Sequence, residues 1–186
     1  MIDEGLISRC IRQERKAQFE LYRALYRMLM SICSRYEHNR QDALARLNQG
    51  FLKILTNLER RRPEVPFEPW ARRIMINTVI DHFRKERERR EMEQLDTPQG
   101  PDPTNMNGYL ENMEGEAFAQ LMQRVPATSR NVFNLFAVDG YSHAEIAAML
   151  GISEGTSKWH VAHARAILQR ALAEGAIPFI PNTAVQ

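Results

Sequence analysis

Two sets of side chains in this sequence have the types and spacing to do chemistry, and in both the chemistry is non-covalent recognition. The first set is Ser153, Glu154, Thr156, Lys158, His160, His163 and Arg165. On a helix starting at Glu154, Thr156, Lys158, His160, His163 and Arg165 point away from the apolar positions Val161, Ala164 and Leu168. Small polar residues at a positive helix end suit phosphates, while Lys, His and Arg reach phosphates or acceptor atoms on base edges. The second set is Trp70, Arg72, Arg73, Asn77, Asp81, Arg84 and Lys85, running into Arg84-Lys85-Glu86-Arg87-Glu88-Arg89-Arg90. An aromatic ring and an Asn upstream of a basic helix end hold a strand electrostatically and offer stacking and hydrogen bonds to unstacked bases. A helical hairpin with a solvated charged face has the same spacing and the same charges.

The elements that position these sets are helices. Between Asp139 and Leu172 the sequence reads as a helix-turn-helix. Ser142 caps a short helix to Leu150 with Glu145 three residues on, Gly151 ends it, Ile152 plugs the corner and Ser153 caps a second helix from Glu154 to about Ala171. Its inward stripe is Val161, Ala164, Leu168 and Ala171 or Leu172.

Earlier, Glu14 to Tyr36 places Leu21, Tyr22, Leu25, Leu29, Ile32, Cys33 and Tyr36 at helical intervals, and Arg40 to Leu58 does the same through Leu44, Leu47, Phe51, Ile54, Leu55 and Leu58. After the loop ending at Pro69, a helix from Trp70 to Lys85 has an inner face of Ile74, Ile76 or Ile80, and Phe83. Near the other end, Phe118, Leu121, Met122 and Val125 share a face before the stop at Pro126. Thr128 or Ser129 then starts a helix with Val132, Phe133, Leu135 and Phe136 inside.

Glu91 to Gln123 contains no Lys or Arg, and its Pro- and Gly-bearing middle can neither continue a helix nor pair as a central strand, so it reads as a flexible acidic linker. The fold class expected is therefore all-α, with a three-helix N-terminal domain and a four-helix C-terminal domain carrying the helix-turn-helix. The boundaries fall at 1–90, 91–115 for the linker, 116–175, and 176–186 for a tail.

Composition narrows the function classes. Hydrophobic residues at 44% and charged residues at 26% are ordinary for a soluble globular protein. A net charge of +2 means that any affinity for nucleic acid must come from the distribution of charge. Cys10 and Cys33 are too few for a disulfide scaffold and read as reduced thiols. No apolar run is long enough to insert in a membrane and no signal-peptide order is present, so a cytoplasmic protein is expected. His160 and His163 have no third ligand nearby, and there is no nucleophile with a base, no paired carboxylates in a defined frame and no phosphate-cradling glycine loop. No metal, cofactor or enzymatic activity is expected.

The order of these parts resembles the bacterial RNA polymerase sigma factors of the sigma-70 family, extracytoplasmic-function group, over about residues 14–172 apart from the linker. Trp70 to Lys85 resembles the segment that binds and melts the minus-ten promoter element, and Gly140-Tyr141-Ser142 through Arg165 the segment that reads the minus-thirty-five element. The resemblance implies a promoter-specificity subunit whose partners are promoter DNA and core RNA polymerase. Asn77 would capture a flipped base, Arg72, Arg73, Arg84 and Lys85 would hold phosphates, and Asp81 would orient neighbouring basic side chains. Ser153, Glu154, Thr156, Lys158, His160, His163 and Arg165 would serve the upstream element. Leu44, Asn48, Gln49 and Phe51 would face the β′ clamp helices, and Phe133 and Phe136 the β flap.

An anti-sigma factor is a usual partner of this group. The acidic linker would pass through the channel later used by RNA. Two positions depart from the family pattern. Leu44, Ala45, Asn48 and Gln49 stand where acidic residues and a Gln usually precede the Phe, and Ser157 stands where an apolar residue often plugs the recognition helix. The alternative reading is thus a sigma-like DNA-binding or protein-interaction regulator with weakened polymerase binding.

Overall fold

Apolar residues recurring every three or four positions give most of the helices one buried stripe. In the first unit these stripes belong to α1 (Glu4–Ile11), α2 (Arg15–Tyr36), α3 (Arg40–Asn57) and α4 (Phe67–Glu93), with a 3₁₀ turn (Leu58–Arg60) closing α3. The second contains α5 (Ala127–Phe133), which buries Ser129, Arg130, Asn131 and Val132 and is continued by a π turn (Asn134–Val138), and then α6 (His143–Leu150) and α7 (Glu154–Ala173), which carry apolar stripes. The computed structural model describes residues 2–37, 39–93 and 121–174. Most of the linker, Phe118 and the tail lie outside the described residues. Those up to Glu93 form one compact unit and those from Leu121 another. Among the described residues there is no strand, and no helix is long and apolar enough to cross a membrane.

The first unit contains one helix more than the three expected. α1 is short, but Leu6, Ile7 and Cys10 bury one side of it, and Asp3 caps it by accepting from the Leu6 N–H at 2.7 Å. An ion pair from Arg61 to Glu4 fastens its start. α4 begins at Phe67, ahead of the expected Trp70, and Pro69 sits inside its first turn. A proline is tolerated there because a first-turn N–H has no partner within the helix.

α4 packs on both α2 and α3, so it needs a broad apolar stripe. Ala71, Met75, Ile76, Val79 and Ile80 provide it, whereas Ile74 and Phe83, expected inside, are only half-buried. On α3 the buried set is Ala43, Leu47, Gly50 and Ile54, and Leu44 is turned outward. Gly50 lets α3 and α4 approach closely: a Cβ there would stand 2.3 Å from Met75 Cε and 2.6 Å from its Sδ. Behind Met75 lies Cys33, Sγ to Sδ 3.4 Å. Burial pushes the Cys33 thiol up to about 12, so it stays protonated and packs as a small apolar group.

The helix-turn-helix follows its local signals closely. Ser142 and Glu145 form a reciprocal capping box on α6, Gly151 takes a left-handed φ of 65°, and Ser153 accepts from the Thr156 N–H at 3.0 Å to cap α7. Val161, Ala164, Leu168 and Ala171 face the core, while Leu172 points outward. Leu121, Met122 and Val125 pack against Ala164, Leu168 and Ala171. α5 starts at Ala127, just after Pro126 and one residue before the earliest expected start.

Three polar side chains tie α7 to its neighbours. Ser157 is fully buried, 0% exposed, and its Oγ lies 2.9 Å from His143 Nδ1 on α6. A hydrogen bond therefore stands where an apolar plug was the alternative. On α5, the buried Ser129 Oγ lies 2.9 Å from His160 Nδ1 and 3.1 Å from His163 Nδ1. A hydroxyl has one proton, so at most one of these imidazoles accepts from it, and the other must donate to Oγ.

Two predictions follow from this packing. Gly50→Val pushes a branched side chain into Met75, whose retreat is blocked by Cys33, and should destabilise the chain by about 1–3 kcal/mol. Urea unfolding would show a lower midpoint at unchanged slope, and an unchanged midpoint would mean the helices can part. The second concerns pH. Burial, then the nearby His163, holds His160 below its ordinary value. Between its lowered folded-state value and about 6.5 the unfolded chain binds the extra proton, so stability falls as pH drops below about 6.5. His160→Gln should flatten part of the change in melting temperature between about pH 7.5 and pH 5.5. An identical pH profile in the variant would refute the assignment.

Candidate nucleic-acid interface

The first candidate surface is a groove of about 300 Å³ where the end of α3 and its 3₁₀ turn meet the beginning of α4, lined by Lys53, Asn57, Arg60, Trp70, Ile74 and Asn77. Asn77 is exposed, with its carboxamide free to offer both a donor and an acceptor. Trp70 is half-buried and steadied by Phe67, ring centroids 5.6 Å apart. The groove thus combines an aromatic surface, two amides and two cations. Asp81 Oδ2 lies 3.6 Å from Lys53 Nζ, a half-exposed ion pair beside the groove.

Of the residues predicted on α4, Trp70 and Asn77 line the groove. Arg73 and Arg84 fall with Asn77 at helical spacing on the same side, Arg84 within 3.8 Å of Glu88. Arg72 and Lys85 are exposed but do not line the groove. Lys53, Asn57 and Arg60 were not anticipated. Their spacing of four and three residues, along one edge of the buried stripe of α3 and into its 3₁₀ turn, was the available signal.

The basic end of α4 is braced by a partly buried charge cluster. The Glu37 carboxylate pairs with Arg46 Nε at 3.1 Å and sits 3.6 Å from His82 Nδ1. Burial raises the Glu37 carboxyl above its ordinary value, and burial, then Arg46, lowers His82.

On the outward side of α3, Leu44 is 38% exposed and Leu52, which had not been singled out, is 61% exposed. Asn48 lies between them at four-residue spacing and accepts from Tyr22 Oη at 3.2 Å. Gln49 accepts from Arg46. Phe51 is half-buried, its ring edge-on to Tyr22 at 5.0 Å.

The second candidate surface is α7. Glu154, Thr156, Lys158 and Arg165 are exposed, as expected, with Ser153 at the cap. His160 and His163 are not outward readers: both are half-buried and directed at Ser129, because the buried hydroxyl supplies the polar partner their ring nitrogens need. The large side chain on this face is Trp159, which sequence reasoning passed over. Phe133 and Phe136 also differ from free apolar surface. Phe133 packs against the core around Leu121 and Leu168, and Phe136 stacks on His143 at 4.5 Å and 14°, with the Arg165 guanidinium 5.9 Å from its centroid.

Comparison with known proteins finds two family models in order along the chain. The family model for sigma-70 region 2 matches residues 21–89, and that for sigma-70 region 4 matches residues 115–168. The ECF RNA polymerase sigma factor EcfG of Rhodopseudomonas palustris is 28% identical over 141 residues, 75% of this chain and 77% of that protein. The ECF RNA polymerase sigma factor SigM of Mycobacterium tuberculosis is 27% identical over 170 residues, 91% of this chain and 84% of that protein. In fold, the chain is similar to the sigma factor RpoE of Bartonella quintana, solved in complex with the anti-sigma factor NepR, with a TM-score of 0.51 at 19% identity over 83% of this chain and 95% of that one. With both sigma regions matched in order along the sequence, the chain belongs to the sigma-70 family, in its extracytoplasmic-function group, and is a promoter-specificity factor that joins core RNA polymerase on promoter DNA.

Proposed function

We propose that the two units divide promoter recognition between them, the first capturing a base of the opened minus-ten strand and the second holding the minus-thirty-five duplex. The observation that carries this reading is the groove in which Asn77 and Trp70 open beside Lys53, Asn57 and Arg60. A flipped base entering it would meet an indole to stack on and carboxamides to pair with its edge. Lys53 and Arg60 at the groove, with Arg73 and Arg84 further along α4, would hold the flanking phosphates. Arg72 and Lys85 would contribute to the field rather than to the pocket.

The ridge of Leu44, Asn48 and Leu52 on α3, with Gln49 beside it, is the surface proposed to meet the β′ clamp helices. It replaces charge pairs with apolar area and amide hydrogen bonds. Exposed ion pairs are typically worth about 0.2–1 kcal/mol each, so their loss leaves a sizeable interface intact. This favours retained polymerase binding over the reading as a sigma-like regulator detached from it. For the β flap, the partly covered Phe136 is joined by the exposed Val138, and Phe133 serves chiefly as core.

The domain boundaries follow the same division, at 1–90 and 116–175, with residues 91–115 carrying acidic side chains and no Lys or Arg. Such a segment suits a channel built for phosphate. The chain performs no chemical step of its own and works in the cytoplasm beside the polymerase. The Bartonella neighbour was solved with an anti-sigma factor, and the exposed Leu44 and Leu52 give a comparable inhibitor apolar surface to cover.

Two predictions test the division. Asn77→Ala should reduce strand opening, read as permanganate reactivity of minus-ten thymines, by about tenfold while leaving upstream duplex binding within about twofold. Equal losses in both would remove Asn77 from base capture. Lys158→Ala and Arg165→Ala should each weaken upstream binding uniformly across sequences and lower the salt slope by about one, as phosphate contacts do. A loss confined to one base position would instead make either residue a base reader.

A further inference from the structure

The face of α7 directly opposite its buried stripe is not the charged one. Gly155, Trp159, Ala162 and Ala166 recur at four-, three- and four-residue steps, so they form one line along the helix, and all four are exposed. The buried residues Val161, Ala164, Leu168 and Ala171 line the other side. Lys158 and Arg165 flank the outward line, and His160 and His163 are turned to Ser129. At the centre of the surface that would enter a major groove there is one indole, set among residues too small to hold a base pair away.

That indole is 57% exposed but held in place. Its ring stacks on His163 at 4.7 Å and 19°, and His160 meets it edge-on at 5.0 Å and 74°. Both imidazoles are anchored by Ser129, which is itself buried on α5. A large apolar ring fixed in water by buried hydrogen bonds is preorganised for contact, because little side-chain freedom is lost when something covers it. In the major groove, the apolar feature that distinguishes one base from the others is the 5-methyl group of thymine.

We propose that Trp159 is a specificity-determining residue that reads a thymine methyl group in the upstream element. This rests on α7 being the duplex-reading helix, and it goes further by naming the residue and the group it reads. Ser129, His160 and His163 act as positioning residues for the ring.

The test uses the full-length chain with core RNA polymerase. An upstream element is first selected from a random duplex library, and each thymine in it is then replaced singly by deoxyuridine, which deletes only the methyl. The natural chain should lose about fourfold in affinity at one or two positions, the value of about 0.8 kcal/mol for one methyl-sized group. In Trp159→Ala that discrimination should vanish at those positions, and in Trp159→Phe it should persist, with co-elution on core polymerase unchanged in both.

Discrimination that survives in Trp159→Ala would overturn the proposal, as would its absence from the natural chain. Loss of polymerase co-elution by Trp159→Ala with duplex binding intact would reassign the ring to a protein contact. If the library yields no upstream element at all, α7 is not the reader and both readings fall. A selected element without methyl discrimination sinks only the role of Trp159.

Discussion

The first unit depends on one close approach, where α3 and α4 meet at Gly50. Met75 fills the space a side chain would have taken and ends against Cys33, so three helices share one contact made of small or sulfur-bearing groups. This fixes α4 along and around its axis. Asn77 is two residues from Met75 and Trp70 five, and a helix is stiff over that distance, so the placement of the groove residues is inherited from the core. A broad apolar stripe on α4 is therefore the condition for the groove on its other side. The positions that could not face both α2 and α3, Ile74 among them, are left to line the groove.

The second unit solves the same problem with polar ties. α7 must present an outward face at a defined angle, yet its buried side includes Ser157 and borders two histidines. Each of these polar groups has a partner on another helix, His143 on α6 or Ser129 on α5. Buried polar groups left unpaired would cost about 1–3 kcal/mol each, so these pairings accept few alternative packings. They hold the rotation of α7 more sharply than apolar contacts of the same area, which tolerate sliding and repacking. The ties also bring titratable groups into the scaffold of α7, where burial lowers the proton affinity of His160.

Much of this was legible in the sequence because it rests on local rules. Ser142 with Glu145, Gly151 and Ser153 place the helix-turn-helix within a residue, since caps and left-handed turns need only neighbours in the chain. The α2 stripe was legible for the same reason. What depends on tertiary neighbours was not. The choice of Met75 over Ile74 as core comes from α4 lying against two helices, which periodicity on one helix does not contain. The inward turn of His160 and His163 required knowing that Ser129 would be buried beside them. Lys53, Asn57 and Arg60 joined the groove only because the end of α3 meets the start of α4. The π turn at Asn134–Val138 has no comparably strong local signature.

The near-neutral charge of the chain bears on how these surfaces can be used. Basic side chains outside the groove are often paired, Arg9 with Glu14, Arg46 with Glu37 and Arg89 with Glu86. Such pairing lowers non-specific attraction to phosphate, which otherwise grows with every unneutralised cation. Each surface proposed to meet DNA is small by itself: one groove on α4 and one face of α7. Carried on the same chain and joined to the same polymerase, they would bind as a linked pair, the second contact forming at high effective concentration once the first is made. A factor built as proposed would have little need of strong affinity for arbitrary DNA, and its selectivity would come from requiring both surfaces to be satisfied together.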